Sequence, residues 1–147
     1  MNKALSSALR LLTRREHSVY ELACKLTQKG YASSEIEAAI AECQRLGLQS
    51  DERFVETICR TRIRQGYGPL RIQQELRSLR IEETLINTVL QQKQDHWLAH
   101  AIAVKKKKYK NQGELTFKQM QKQKQFLLYR GFSADIIAMV FNETMIE

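Results

Sequence analysis

One proline and six glycines are all that 147 residues contain of the two strongest helix breakers, so long stretches run without interruption. Strand signals are nearly absent as well: no segment sustains apolar–polar alternation between turn residues. The expected fold is therefore all-α. Cysteine is scarce, and Cys24, Cys43 and Cys59 are odd in number, scattered and without a CxxC pair. This argues against a disulfide framework or a thiolate metal site and leaves the three as small residues of helix faces. No signal peptide or membrane-length apolar run is visible, since Met1–Leu12 is broken by Asn2, Lys3, Ser6, Ser7 and Arg10. A cytoplasmic location with no membrane attachment is expected.

Catalytic patterns are equally thin. His96 and His100 stand four apart, as helical metal ligands would, but no HExxH glutamate lies between them and no third ligand is spaced for the task. His17 has no nucleophile or carboxylate in a recognisable arrangement, and Ser18 sits in no nucleophile elbow. Gly66-Tyr67-Gly68-Pro69 lacks the preceding strand and the GxxxxGK[ST] spacing of a phosphate loop. It reads instead as a hinge, with Pro69 in the first turn of the next helix, where no amide hydrogen is needed. No enzyme activity, metal or cofactor is expected, although an enzyme of unrecognised type stays open as an alternative.

What is present is a repeat. Leu22, Leu26, Tyr31, Ile36 and Ile40 align at a constant offset of 50 with Ile72, Leu76, Ile81, Ile86 and Leu90; an offset of 101 places Leu127, Phe132, Ile137 and Phe141 over the last four, with Gly131 over Gly30. Each copy is helix, tight turn, helix. Gly30 and Gly131 fall where a left-handed residue closes a helix, with Ser33 and Ser133 as N-caps of the helices that follow. Arg80 stands at the equivalent middle position, which predicts a differently closed turn there. Units this short stack on their neighbours to bury their apolar faces. The expectation is three tandem three-helix repeats at 1–50, 51–94 and 95–147, in an elongated right-handed or open stack, as a monomer.

The first helix should span about Lys3–Arg15 with Leu5, Leu9 and Leu12 on one face, and the third carries Ile36, Ala39, Ile40, Cys43 and Leu46 up to Gly47. Asp51 caps a fourth helix whose wheel gathers Phe54, Ile58 and Gln65 on one side and Arg53, Arg60 and Arg64 on the other, with Arg62 at the edge of the core face. Leu70, Ile72, Leu76 and Leu79, then Leu85, Ile86, Val89 and Leu90, serve the fifth and sixth. In the third repeat Trp97, Ala101, Val104 and Lys108 share a face, so that Lys105 and Lys108 snorkel while Lys106, Lys107 and Lys110 point away. After Asn111-Gln112-Gly113, Phe117, Met120, Leu127 and Leu128 face inward with Lys118 and Lys122 outward, and the last helix ends on Ile136, Ile137, Val140 and Phe141.

The formal charge of +8 is uneven: residues 1–50 hold 7 basic and 5 acidic side chains, 51–92 hold 7 and 6, and 93–147 hold 10 and 5. Such a field favours a polyanion or an acidic protein surface. A solvated polar face is the plainer reading of each cluster. The functional reading makes the arginines partner-binding, because a planar guanidinium suits carboxylates and phosphates at interfaces, and makes Lys105, Lys106, Lys107, Lys108, Lys110, Lys118 and Lys122 nucleic-acid-binding. A helix-turn-helix DNA-binding protein is the alternative, but no copy places Asn, Gln and Arg together at one helix start.

Two runs carry a resemblance. LLTRREHSVYELACKLTQKGY contains Arg14, Arg15, Glu16, Ser18, Glu21, Leu22, Lys25, Leu26, Lys29 and Gly30, and DERFVETICRTRIRQGYGPLRIQQEL contains Asp51, Arg53, Phe54, Gly68, Pro69, Glu75 and Leu76. Together they resemble the RecX family, modulators of the bacterial recombinase RecA. The third repeat matches more weakly through Lys124, Tyr129, Arg130, Gly131 and Phe132, and His17 and Arg80 depart from the pattern. The resemblance implies an elongated all-helical protein of three three-helix repeats. It also implies binding along the groove of RecA filaments and inhibition of strand exchange, ATP hydrolysis and co-protease action on the SOS repressor; single- or double-stranded DNA is the further partner that the lysines suggest. On that reading the candidate partner-binding residues are Arg14, Arg15, Arg53, Arg60, Arg64 and Arg71.

Overall fold

A computed structural model describes residues 2–110 and 113–141. Every regular element among them is helical: α1 (Lys3–Arg14), α2 (Val19–Gln28), α3 (Ser33–Arg45), α4 (Asp51–Arg64), α5 (Pro69–Ser78), α6 (Glu83–Gln92), α7 (Trp97–Tyr109), α8 (Phe117–Arg130) and α9 (Ala134–Val140), with one 3-10 turn at Gln94–His96 before α7. Asn111 and Gln112 of the expected α7–α8 turn lie outside the described residues.

The turns explain why the repeat exists. After α2 the Tyr31 N–H donates to Leu26 O at 3.3 Å and the Gly30 N–H to Thr27 O at 3.0 Å; after α8 Phe132 donates to Leu127 O at 3.1 Å and Gly131 to Leu128 O at 3.0 Å. This is the Schellman closure, with the glycine left-handed. The middle turn is closed the same way, contrary to the expectation drawn from Arg80: Ile81 donates to Leu76 O at 3.1 Å and Arg80 to Arg77 O at 3.0 Å, with Arg80 at φ 59. The hydrogen bonds and the buried Leu76 and Ile81 hold an arginine in a region that disfavours it by about 1–2 kcal/mol. Its guanidinium lies 5.1 Å from the Tyr20 ring centroid, a cation–π contact that offsets part of this.

Helix starts follow the sequence in part. Ser18 and Glu21 form a capping box on α2, Thr116 and Gln119 form one on α8, and the Ser133 hydroxyl accepts from the Ile136 N–H as expected. Ser33 is not a cap. The N-cap of α3 is Ala32, which has no acceptor, and Glu35 reaches back to its N–H at 3.1 Å. Nor does Asp51 cap α4: the Ser50 hydroxyl accepts from the Arg53 N–H, while the Asp51 carboxylate accepts from Val19 N–H at 3.0 Å and Gln49 Nε2 at 2.9 Å. Asp51 therefore ties the start of α4 to the start of α2.

The chain divides into two compact units, one comprising residues through Thr57 with Leu76–Leu85, the other Ile58–Glu75 with the residues from Ile86 on. In the first, Ala8, Leu22, Leu26, Ile36, Ile40 and Cys43 form a buried cluster flanked by Leu5, Leu9, Leu12 and Tyr31. Each buried leucine or isoleucine contributes about 1.5–3 kcal/mol. The Tyr31 hydroxyl is satisfied by Ser7 Oγ at 2.8 Å. In the second unit Ile72, Ile86, Val89, Trp97, Ala101, Leu127, Phe132 and Ile137 are buried. Phe117 and Leu128, expected to face inward, are 77% and 50% exposed. Phe117 sits in the exposed first turn, and Gln123 with Leu127 supplies the buried side of α8.

Gly66-Tyr67-Gly68-Pro69 is not a hinge in this arrangement. The Gly68 N–H donates to Arg130 O at 2.8 Å and the Leu70 N–H to Gly131 O at 2.9 Å, so the turn before α5 is docked backbone to backbone on the turn after α8. A Cβ on Gly68 would lie 2.6 Å from Gly131 O, and one on Gly131 2.6 Å from Arg71 Cβ. Only glycine permits this approach. It fixes the ends of α4, α5 and α8 with respect to one another.

Candidate partner-binding surface

In the first unit the expected arginines are partly committed. Arg14 is exposed. Arg15 makes a two-pronged pair with Glu21, at 3.2 and 3.1 Å. Burial works against the Glu21 carboxylate, but these bonds and the Ser18 N–H outweigh it and hold its pKa below the usual range. Arg53 is exposed yet donates to Glu16 at 2.9 Å, a surface pair worth at most about 1 kcal/mol. Behind them His17 is buried. Lys25 Nζ can only donate, so His17 Nε2 accepts from it at 2.9 Å and Nδ1–H donates to Arg15 O at 3.0 Å. Burial chiefly, with the Arg15 and Lys25 cations adding, lowers the His17 pKa against the opposing bond to Arg15 O. His17 thus has a structural role that the sequence did not reveal.

In the second unit the cations converge. Arg62, at the edge of the core face as its wheel position predicts, forms a half-buried fork with Glu75, both N–O distances 2.7 Å. Arg60 and Arg64 are exposed. Arg64 lines a cleft of about 440 Å³ together with Lys107, Lys108 and Arg130, and its walls include Ile63, Val104, His100 and Phe126. Arg130 Nη1 donates to Gln65 O at 2.9 Å, and its guanidinium lies 5.1 Å from the Phe126 centroid and 5.2 Å from that of Tyr67. Arg71 also stacks on Tyr67, at 4.2 Å, and approaches Tyr129 at 5.7 Å. Tyr129 is 74% exposed. Two guanidinium groups and two tyrosines therefore gather beside the docked Gly68 and Gly131 turns, a composition that suits planar or anionic partners.

His100 supports this cluster from within. Its Nε2–H donates to Tyr67 O at 3.1 Å, its ring centroid lies 5.4 Å from that of Phe132, and burial lowers its pKa against the effect of that hydrogen bond.

The lysines separate into two sets. Lys105 Nζ sits 4.9 Å from the Phe141 centroid and Lys108 Nζ 5.8 Å from that of Phe126, both snorkelling as expected. Lys106, Lys110, Lys118 and Lys122 are exposed. Lys107, expected to point away, is exposed but borders the cleft. The structure thus brings Arg64 to Lys107 and Lys108 and leaves Arg14, Arg15 and Arg53 in the other unit. Arg130, Tyr67 and Phe126 were missed as site residues; the Tyr-Arg-Gly run at Tyr129, Arg130 and Gly131 was the available signal. Among the described residues no helix is long and apolar enough to cross a membrane.

Comparison with known proteins covers all of this architecture. Family models of the first, second and third three-helix domains of RecX match residues 4–43, 50–90 and 94–141. The chain is 53% identical over 143 residues to the regulatory protein RecX of Legionella pneumophila (strain Corby), covering 97% of this chain and 95% of that protein. It is 38% identical over 146 residues to the regulatory protein RecX of Pasteurella multocida (strain Pm70), covering 98% and 89%. The crystal structure of RecX from Lactobacillus salivarius matches with a TM-score of 0.82 at 23% identity, over 99% of this chain and 96% of that one, which is a likeness of fold. Three matched domains in order and more than half the residues shared with a full-length relative leave one conclusion: the chain belongs to the RecX family of regulatory proteins.

Proposed function

We propose that this protein is a non-enzymatic regulator that binds RecA recombinase filaments and inhibits their recombinase, ATPase and co-protease activities. The observation that carries the proposal is the ordered match to all three RecX three-helix domains. In this reading it acts as a cytoplasmic monomer of three repeats. Exposed guanidinium groups at Arg14, Arg15, Arg53, Arg60, Arg64 and Arg71 meet acidic protein surface. Lys105, Lys106, Lys107, Lys108, Lys110, Lys118 and Lys122 meet phosphates of the DNA that a filament carries. The helix-turn-helix alternative has less support: the last helix of each repeat opens with an acidic residue in its first turn, Glu35, Glu83 and Asp135, which repels the backbone that a recognition helix must approach.

The test is to add the purified protein to RecA on single-stranded DNA and follow ATP hydrolysis. A dose-dependent fall supports the proposal, and an unchanged rate overturns it. The lysine contribution is read from salt dependence. Each neutralised phosphate steepens the log–log slope by about 0.7–0.9, so a variant with Lys106, Lys107 and Lys110 changed to glutamine binds RecA–DNA filaments with a shallower slope. Equal slopes return these lysines to solubility alone.

A further inference from the structure

The cleft of the second unit has a composition that filament binding does not require. Four cations from three helices, Arg64 of α4, Lys107 and Lys108 of α7 and Arg130 of α8, line a space of about 440 Å³, and no carboxylate is among its described lining residues. The volume falls within the ~300–1,000 Å³ typical of small-molecule sites. One wall is apolar and aromatic, from Ile63, Val104 and Phe126, and Gln65 and His100 add polar groups to the lining. Arg130 is fixed in place by Gln65 O and by the Phe126 face, which engages one N–H of its five donors and leaves a preorganised planar group at the cleft.

We infer that this cleft binds a nucleoside polyphosphate, with the phosphates on Arg64, Lys107, Lys108 and Arg130 and the base against the apolar wall. Charge density selects this ligand class. A nucleic-acid strand brings one negative charge per nucleotide, so a space for about one nucleotide lined by four cations would be strongly over-neutralised. A di- or triphosphate concentrates about one charge on each inner phosphate and nearly two on the terminal one, which matches the cations present. A lone carboxylate would leave most of them uncompensated, and inorganic polyphosphate would leave the apolar wall bare. The inference does not depend on RecA, and its test contains neither RecA nor DNA in the primary arm, so its failure and failure of the regulatory reading are distinct results.

The experiment is titration of the full chain with fluorescent ADP and ATP at low salt, with adenosine, inorganic tripolyphosphate and a short oligothymidylate as competitors. Saturable binding is expected, displaced by ATP well before adenosine or tripolyphosphate. R64Q and K107Q, both at exposed positions and so expected to fold, should each weaken it by about tenfold, the loss of one charge-assisted contact. The charge-matched control K3Q, on α1, should bind as wild type. The inference is overturned by absence of saturable binding, by R64Q and K107Q binding as wild type, by tripolyphosphate competing as well as ATP, or by oligothymidylate displacing the nucleotide more effectively than ATP does.

Discussion

At Gly30 an added Cβ would meet nothing within 4 Å, whereas at Gly131 it would lie 2.6 Å from Arg71 Cβ and 2.7 Å from Arg71 N. The two glycines occupy the same place in the repeat and close their turns with the same pair of hydrogen bonds. One is required for its dihedral alone, the other for its dihedral and for the approach of a second backbone. Arg80 completes the series, because there the dihedral is retained without glycine. A single sequence signal, a small residue just past a helix, therefore stands for two physical demands, and only the second organises the surface around Tyr67, Arg71 and Arg130.

The largest effect should come from filling the clamp. Gly131→Ala or Gly68→Ala forces backbone against backbone, where neither side can yield, and should destabilise by roughly 3 kcal/mol or more. Urea unfolding measures this, and a loss below 1 kcal/mol would mean that the clamp opens readily. Gly30→Ala, with open space around it, should lose only the ~1–2 kcal/mol of left-handed strain. Equal losses at Gly30 and Gly131 would abolish the distinction. Smaller still are changes at Arg80. Arg80→Gly removes strain of about 1 kcal/mol and a Tyr20 contact worth about 0.5–1 kcal/mol, so stability stays near that of wild type; Arg80→Ala keeps the strain, loses the contact and falls below it. An Arg80→Gly variant less stable than Arg80→Ala would show that the left-handed dihedral is not the governing term.

Each unit also holds a histidine whose pKa is lowered chiefly by burial, the buried His17 in the first and the half-buried His100 in the second. For a base whose folded pKa lies below its unfolded value, the stability is fully present above the ordinary 6.5 and is lost as pH falls below it toward the folded value. Thermal melting from pH 7.5 to 5.5 should therefore decline, and His17→Gln should flatten that decline in part. A melting temperature that rises over this interval would contradict the assignment of both rings as neutral.

How far the chain could be read follows from these residues. The offsets of 50 and 101 were legible because an apolar residue before and after each turn is demanded locally, by the helix and its closure. The Arg80 turn was misread because glycine is a preference at that site, overridden when Leu76 and Ile81 are buried across it. The clamp was hidden because nothing near Gly68 in sequence announces Gly131. For the same reason Arg64 and the Lys107–Lys108 pair, read as belonging to different kinds of contact, proved to share one cleft. Pattern reports what a segment does for itself and is silent on what distant segments do together.

The claim that the exposed cations serve a partner rather than the fold is tested most directly by the variant with Arg53, Arg60 and Arg64 all changed to alanine. Arg53 gives up only its surface pair with Glu16, so helicity should be unchanged and the melting temperature should move by no more than about 2–4 °C. Inhibition of RecA's DNA-dependent ATP hydrolysis should then require about tenfold more protein or worse. A variant that melts like wild type and inhibits like wild type would contradict the account and reduce these arginines to a solvated face.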